Sequence, residues 1–249
     1  MVSSGLLHTV SDFWKIAEYE QMQAEYTVQE KVQHLKTASV KQLRNIFIQY
    51  RYFTKNYGSD LGLLIFKAPY GNFKSLISEI AAEELGNGKS KQSHIQLWDN
   101  FLISLGVPES ELETSIDPRN AVLLEELRQL MHKASPAYAI GLRGMGGECL
   151  CQIYLSAVFE NFKQNPEIRA RQNTIDWSFW DIHTGDADIE HRVLVKAAIS
   201  EIVESDPASI NDLAAGYLKA KGIWDQFWEN AYEEREGQNV EQLGVASYG

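Results

Sequence analysis

The sequence predicts an all-α fold, and three observations carry that prediction. Five of the six prolines stand where a helix can begin: Pro108 before Glu109, Pro118 after Asp117, Pro136 after Ser135, Pro166 after Asn165 and Pro207 after Asp206. Proline suits the first helical position, where the missing N–H would have no partner within the helix. Between the prolines, apolar residues recur at helical spacing, as in Leu123, Leu127, Leu130 and Met131, and again in Val193, Leu194, Ala197, Ala198 and Ile202. Two-residue alternation over a strand's length is hard to find.

The elements follow in order. A first helix is expected over 6–25. Ser39-Val-Lys-Gln42 has the form of a capping box, so a second begins at 39, runs through Ile46, Phe47, Tyr50 and Phe53, and stops at Tyr57-Gly58. Further helices are expected over 60–68 and 72–86, with Gly86 and Gly88 allowing a turn into one over 90–106. The proline starts open helices over 118–134, 136–163, 166–172 and 207–234, and a long helix covers 175–204. The tail after Gly237 should fray. No internal repeat or low-complexity tract is evident.

With 249 residues and 44% hydrophobic content, the chain can build one sizeable core, and nothing in it resembles a linker. The expectation is one domain over 1–249, with its core about 6–234. A formal charge of -11 disfavours nucleic acid or an anionic membrane as partner, since both need a basic face. Cys149 and Cys151 are too close in sequence to bridge well, which reads as reduced thiols. The first residues form no positively charged leader, and no window of 18 uncharged apolar residues occurs. A soluble, cytoplasmic protein is therefore expected.

The most informative stretch is Asp181-Ile-His183-Thr-Gly-Asp186-Ala-Asp188-Ile-Glu-His191, which packs two histidines and several carboxylates between apolar flanks. Imidazole plus carboxylate is the ligand mixture of non-haem iron or manganese, and the thiolates expected of structural zinc are missing. An all-α metal site draws ligands from several helices, so other acids and histidines on apolar faces become candidates. Glu148 sits among the small and apolar residues of Gly141-Leu-Arg-Gly-Met-Gly-Gly-Glu-Cys-Leu-Cys-Gln-Ile-Tyr. A buried lone acid costs several kcal/mol unless it is paired or bound to metal. Glu84 and His94 flank the glycine-bearing turn, with Glu83 able to replace its neighbour.

Glu-Leu-Gly followed by Ser-His, then an isolated mid-helix Glu, then His…Asp-x-x-His resembles the haem-oxygenase-like diiron oxidases and oxygenases over roughly residues 40 to 205. The resemblance implies a haem-oxygenase-like helical bundle. It also implies two ferrous ions held by Glu84, His94, Glu148, His183, Asp188 and His191, with dioxygen as co-substrate and manganese as the other metal such ligands suit. Family members usually show three residues between the first His and the Asp, whereas four separate His183 from Asp188. On a regular helix those two stand roughly 140° apart, and a π-bulge near Thr184-Gly185 would bring the angle to roughly 40°. Otherwise Asp186 replaces Asp188, or His183 does not touch metal.

The activities implied are N-oxygenation, desaturation or C–C cleavage of a small amino-acid-derived substrate in natural-product biosynthesis, or oxidative decarboxylation of a fatty acid. An external electron donor and a homodimer are expected by the same analogy. Arg143, one and a half turns before Glu148, is a candidate counter-ion for a substrate carboxylate. Trp177 and Trp180 either wall the pocket or fill the core. Two other readings compete. One is a metal-free enzyme resembling the thiaminase or quinone-cofactor-synthase branches, with Cys149 or Cys151 as nucleophile. The other is a metal store without catalysis.

Overall fold

The computed structural model describes residue 7 and residues 9–184 and 186–233, and leaves the side chains of 186–192 outside that description. The tail after Gly237 lies beyond the described residues, which contain helices and no strand.

Helix α1 (Val10–Lys31) opens on Thr9, whose hydroxyl accepts from the Asp12 N–H. It outruns the expected end at 25 because its buried stripe, Phe13, Ala17, Gln21, Ala24 and Val28, continues at helical spacing. Helix α2 (Val40–Lys67) begins with the capping box: Gln42 N–H donates to Ser39 Oγ at 3.3 Å, and Ser39 N–H to Gln42 Oε1 at 2.7 Å. The stop expected at Tyr57-Gly58 does not occur. Gly58 lies inside the helix and faces Leu85, whose Cδ2 would be 3.2 Å from a Cβ there.

Helices α3 (Asn72–Glu84) and α4 (His94–Leu105) flank the glycine turn and a single 3-10 turn at Ser90–Gln92. Helix α5 (Pro118–Lys133) is capped by Asp117, which accepts from Arg119 N–H at 2.8 Å. Helix α6 (Pro136–Ala139) passes into a π turn over Ile140–Met145 and then into α7 (Gly146–Phe162). Short α8 (Pro166–Arg171) leads to α9 (Ser178–His183), α10 (Asp186–Ser205) and α11 (Ile210–Tyr232). Pro108 and Pro207 open only 3-10 turns.

The helix expected over 175–204 is therefore two. Thr184 ends α9 with its hydroxyl on Trp180 O at 2.7 Å, and its backbone (φ -117, ψ 4) leaves the helical region. Gly185 lies outside the described residues, among which the π turn stands before α7. Helix α11 crosses it at backbone contact: a Cβ on Gly141 would fall 2.0 Å from Leu213 O, and one on Gly216 2.1 Å from Tyr138 O.

Rings from α2, α4, α7 and α9 form one half of the core. Phe47, Trp98, Phe101, Phe162 and Trp180 pack with centroids 4.9 to 6.1 Å apart. Each such pair adds about 0.5–1.5 kcal/mol beyond its buried area. Among the described residues no helix is long and apolar enough to cross a membrane.

Candidate metal centre

The site forms where α3, α4 and α9 end or begin against the middle of α2 and the first turns of α7. Helix termini leave backbone groups unsatisfied and side chains free to converge, and here three do. Glu84 is the last residue of α3, His94 the first of α4 and His183 the last of α9. One ligand atom from each lies within 4.8 Å of the others.

The turn that unites the first two depends on Gly86. Its φ is +82°, a region that favours glycine, and a Cβ would meet Lys89 O at 2.4 Å and Ser93 N at 2.6 Å. The turn therefore folds back on itself and delivers His94 to Glu84, with Nδ1 2.9 Å from Oε1. Burial alone would raise the Glu84 carboxyl. The hydrogen bond and charge of His94, with the charges of His183 and Arg143, override that and hold it below its ordinary value.

His183 is oriented by its own helix. Its Nδ1 lies 2.8 Å from Phe179 O, and its ring stacks on Phe179 with centroids 3.9 Å apart. An Nδ1–H donated to that carbonyl fixes the tautomer that leaves Nε2 as the ligand atom. The His94 and His183 rings meet edge to face at 4.7 Å.

Glu148 faces the same cavity from α7, outside the three-residue group. Its Oε1 accepts from the hydroxyl of Tyr57 on α2. Burial first, and then the Glu148 charge, push the Tyr57 phenol well above its ordinary value, so it stays protonated and donates. Gly147 makes room, since a Cβ there would lie 2.4 Å from Tyr57 Oη. Arg143 stacks on Tyr57 with its guanidinium carbon 4.3 Å from the ring centre, and its Nε donates to Asp60 Oδ2 at 2.8 Å.

The cavity these groups line measures about 70 Å³. Its remaining wall includes Tyr50, Phe53, Cys151, Ile182 and Trp224, and Glu83 stands beside Glu84. Tyr50 Oη lies 3.5 Å from Cys151 Sγ, while Cys149 is fully buried in the core. Trp177 and Trp180 do not line this cavity. Trp180 is completely buried among the rings of α2, α4 and α7, and Trp177 stacks on Phe162 and donates Nε1–H to Gln172 O. The side chains of Asp186, Asp188 and His191 lie outside the described residues; their backbones open α10 directly after the break at Thr184.

Sequence reasoning missed Tyr57 and Asp60. Their signal was the stripe Tyr50, Phe53, Tyr57, Leu61 and Leu64, which continues through Gly58 and places Asp60 on a buried face.

The donor set fits iron. Two imidazoles and a carboxylate held below its ordinary pKa converge within reach of one ion, and a second carboxylate lines the same cavity.

The fold recurs in solved structures. A CADD-like protein of unknown function from Nostoc punctiforme superposes with a TM-score of 0.71 at 20% identity, over 89% of this chain and 97% of that one. A domain of unknown function with a heme oxygenase-like fold from Shewanella denitrificans gives 0.68 at 13% identity, covering 92% and 93%. A TenA homolog from Pseudomonas syringae pv. tomato gives 0.69 at 14% identity, covering 93% and 98%. At these identities the likeness is one of fold. No curated protein matches the chain in sequence. The profile of the iron-containing redox enzymes matches residues 44–225, which include Glu84, His94, Glu148 and His183, and the chain belongs to that family, with a haem-oxygenase-like fold.

Proposed function

We propose that the protein is a non-haem diiron oxidase or oxygenase that uses dioxygen to oxidise a small, amino-acid-derived substrate in natural-product biosynthesis. The observation that supports this best is the convergence of Glu84, His94 and His183 from three helix termini on a cavity that Glu148 also lines. Glu84, His94, Glu148 and His183 would hold the metal, with Asp188 and His191 completing the set from α10. Iron at such a site supplies the electrons and the open coordination positions that dioxygen needs.

The chain's own residues do the rest. Phe179 O holds the His183 ring in the ligating tautomer. Tyr57 donates to one Glu148 oxygen and so orients the carboxylate that lines the cavity. Phe53, Ile80, Ile182 and Trp224 keep the chamber largely apolar. A volume of about 70 Å³ equals about five to seven water sites at 10–15 Å³ each. That suits an amino-acid-sized substrate better than the chain of a fatty acid.

Oxygen uptake tests the reading. Protein loaded anaerobically with ferrous iron and mixed with oxygenated buffer should consume dioxygen faster when amino acids from a screen are present, and Glu148→Ala should abolish this. Uptake unaffected by Glu148→Ala would overturn the assignment. Cys151 in the cavity wall favours a second reading, metal-free nucleophilic chemistry. That reading predicts activity without iron and its loss in Cys151→Ser, whereas the iron reading predicts iron-dependent activity that survives the substitution.

A further inference from the structure

We infer that Arg143 is a carboxylate receptor: the substrate carries a carboxylate, and the Arg143 guanidinium binds it beside the metal centre. This rests on the reading of the cavity as an iron site and names the chemical class of what enters it.

Arg143 is 2% exposed, yet its only described hydrogen bond is from Nε to Asp60. Its Nη2 is buried and has no hydrogen-bond partner. A guanidinium carries five N–H donors, and a buried donor left unmatched costs about 1–3 kcal/mol, so its retention asks for a reason. Asp60 on Nε and the rings of Phe53 and Tyr57, whose centres lie 4.7 and 4.3 Å from the guanidinium carbon, hold the plane in place. That scaffold presents a preorganised fork, the geometry that carboxylates match. Arg143 is also the only lysine or arginine among the described residues that line the cavity.

The π turn explains how it gets there. Four residues separate Arg143 from Glu148, which on a regular helix would put them roughly 140° apart. Hydrogen bonding across five residues between Ile140 and Met145 reduces the rotation per residue and narrows that angle, and both side chains line one cavity. An acid that serves the metal and a base that serves the substrate are thus brought to one chamber from one helix.

Charge sets the order of events. Glu83, Glu84 and Glu148 border the same cavity, so an anion is repelled until metal neutralises them. Iron enters first and the carboxylate second.

The test uses two small isosteres, propionate and propionamide, titrated calorimetrically into protein loaded anaerobically with ferrous iron. Wild type should bind propionate at least about 10-fold more tightly than propionamide, as a charge-assisted pair requires. Arg143→Lys should keep part of that preference and Arg143→Met should lose it. Should Arg143→Met fail to fold, the double variant Asp60→Met/Arg143→Met removes the buried pair together and serves instead. Equal binding of the two probes by wild type, or a preference retained without Arg143, would overturn the inference. Iron is counted on the same samples: iron bound without selectivity defeats this inference alone, whereas no iron uptake by wild type defeats the metal reading on which it rests.

Discussion

Replacing Tyr57 with phenylalanine removes one oxygen atom and probes how the site holds its carboxylate. The ring remains to stack on Arg143, so packing around the guanidinium is preserved. What is lost is the hydrogen bond to Glu148 Oε1, whose acceptor is ionised. Hydrogen bonds to charged groups contribute about 1.5–3 kcal/mol, which corresponds to roughly 10- to 150-fold in an equilibrium constant. That range overlaps the about 10- to 100-fold loss of metal affinity that follows removal of a group orienting a ligand. Ferrous affinity should therefore weaken about 10- to 100-fold in Tyr57→Phe, measured anaerobically by competition with a coloured chelator. The dichroism spectrum should be unchanged. Gly147→Ala, which drives a Cβ into the same hydroxyl, should weaken iron in the same direction. Unchanged or tighter iron affinity in Tyr57→Phe would refute the claim that this hydroxyl positions a ligand.

Three other outcomes are expected. Gly86→Ala forces a side chain into φ +82° and against Lys89 O, so it should cost at least about 1–3 kcal/mol in denaturant unfolding and loosen the turn between Glu84 and His94. Asp60→Ala leaves Arg143 buried without its counter-charge and should destabilise the fold by about 3–5 kcal/mol, measured in the same way. The Glu84 carboxyl lies below its ordinary value of 4.5 in the folded protein, so its stabilisation of the metal-free form is present above that pH and disappears as pH falls through the depressed value. The stability difference between wild type and Glu84→Gln should accordingly shrink on acidification, as followed by chemical denaturation at several pH values.

Local chemistry made much of the fold legible. The capping box at Ser39, the caps at Asp117, Ser135 and Asn165 and the prolines after them stand where the sequence places them, because each depends on neighbours within one turn. Features set by distant partners were not. Gly58 reads as a helix stop, yet tertiary contact with Leu85 carries the helix through it, and with it Asp60 reaches the buried pair with Arg143. The spacing of His183 and Asp188 suggested a π turn at Thr184-Gly185, on the premise of one continuous helix. His183 instead ends α9, and the widened turn lies at Ile140–Met145, where α11 presses on Gly141. The meeting of Glu84, His94 and His183 could be anticipated only through the family resemblance, since no spacing rule joins residues ten and nearly a hundred apart.

The count of ferrous ions bound per chain tests the account most directly. Loaded anaerobically and freed of excess metal, wild type should retain close to two irons per chain, and His183→Ala, folded to the same dichroism spectrum, should retain at most one. No specific uptake by wild type, or the same count in His183→Ala, would contradict the assignment of this cavity as the iron centre.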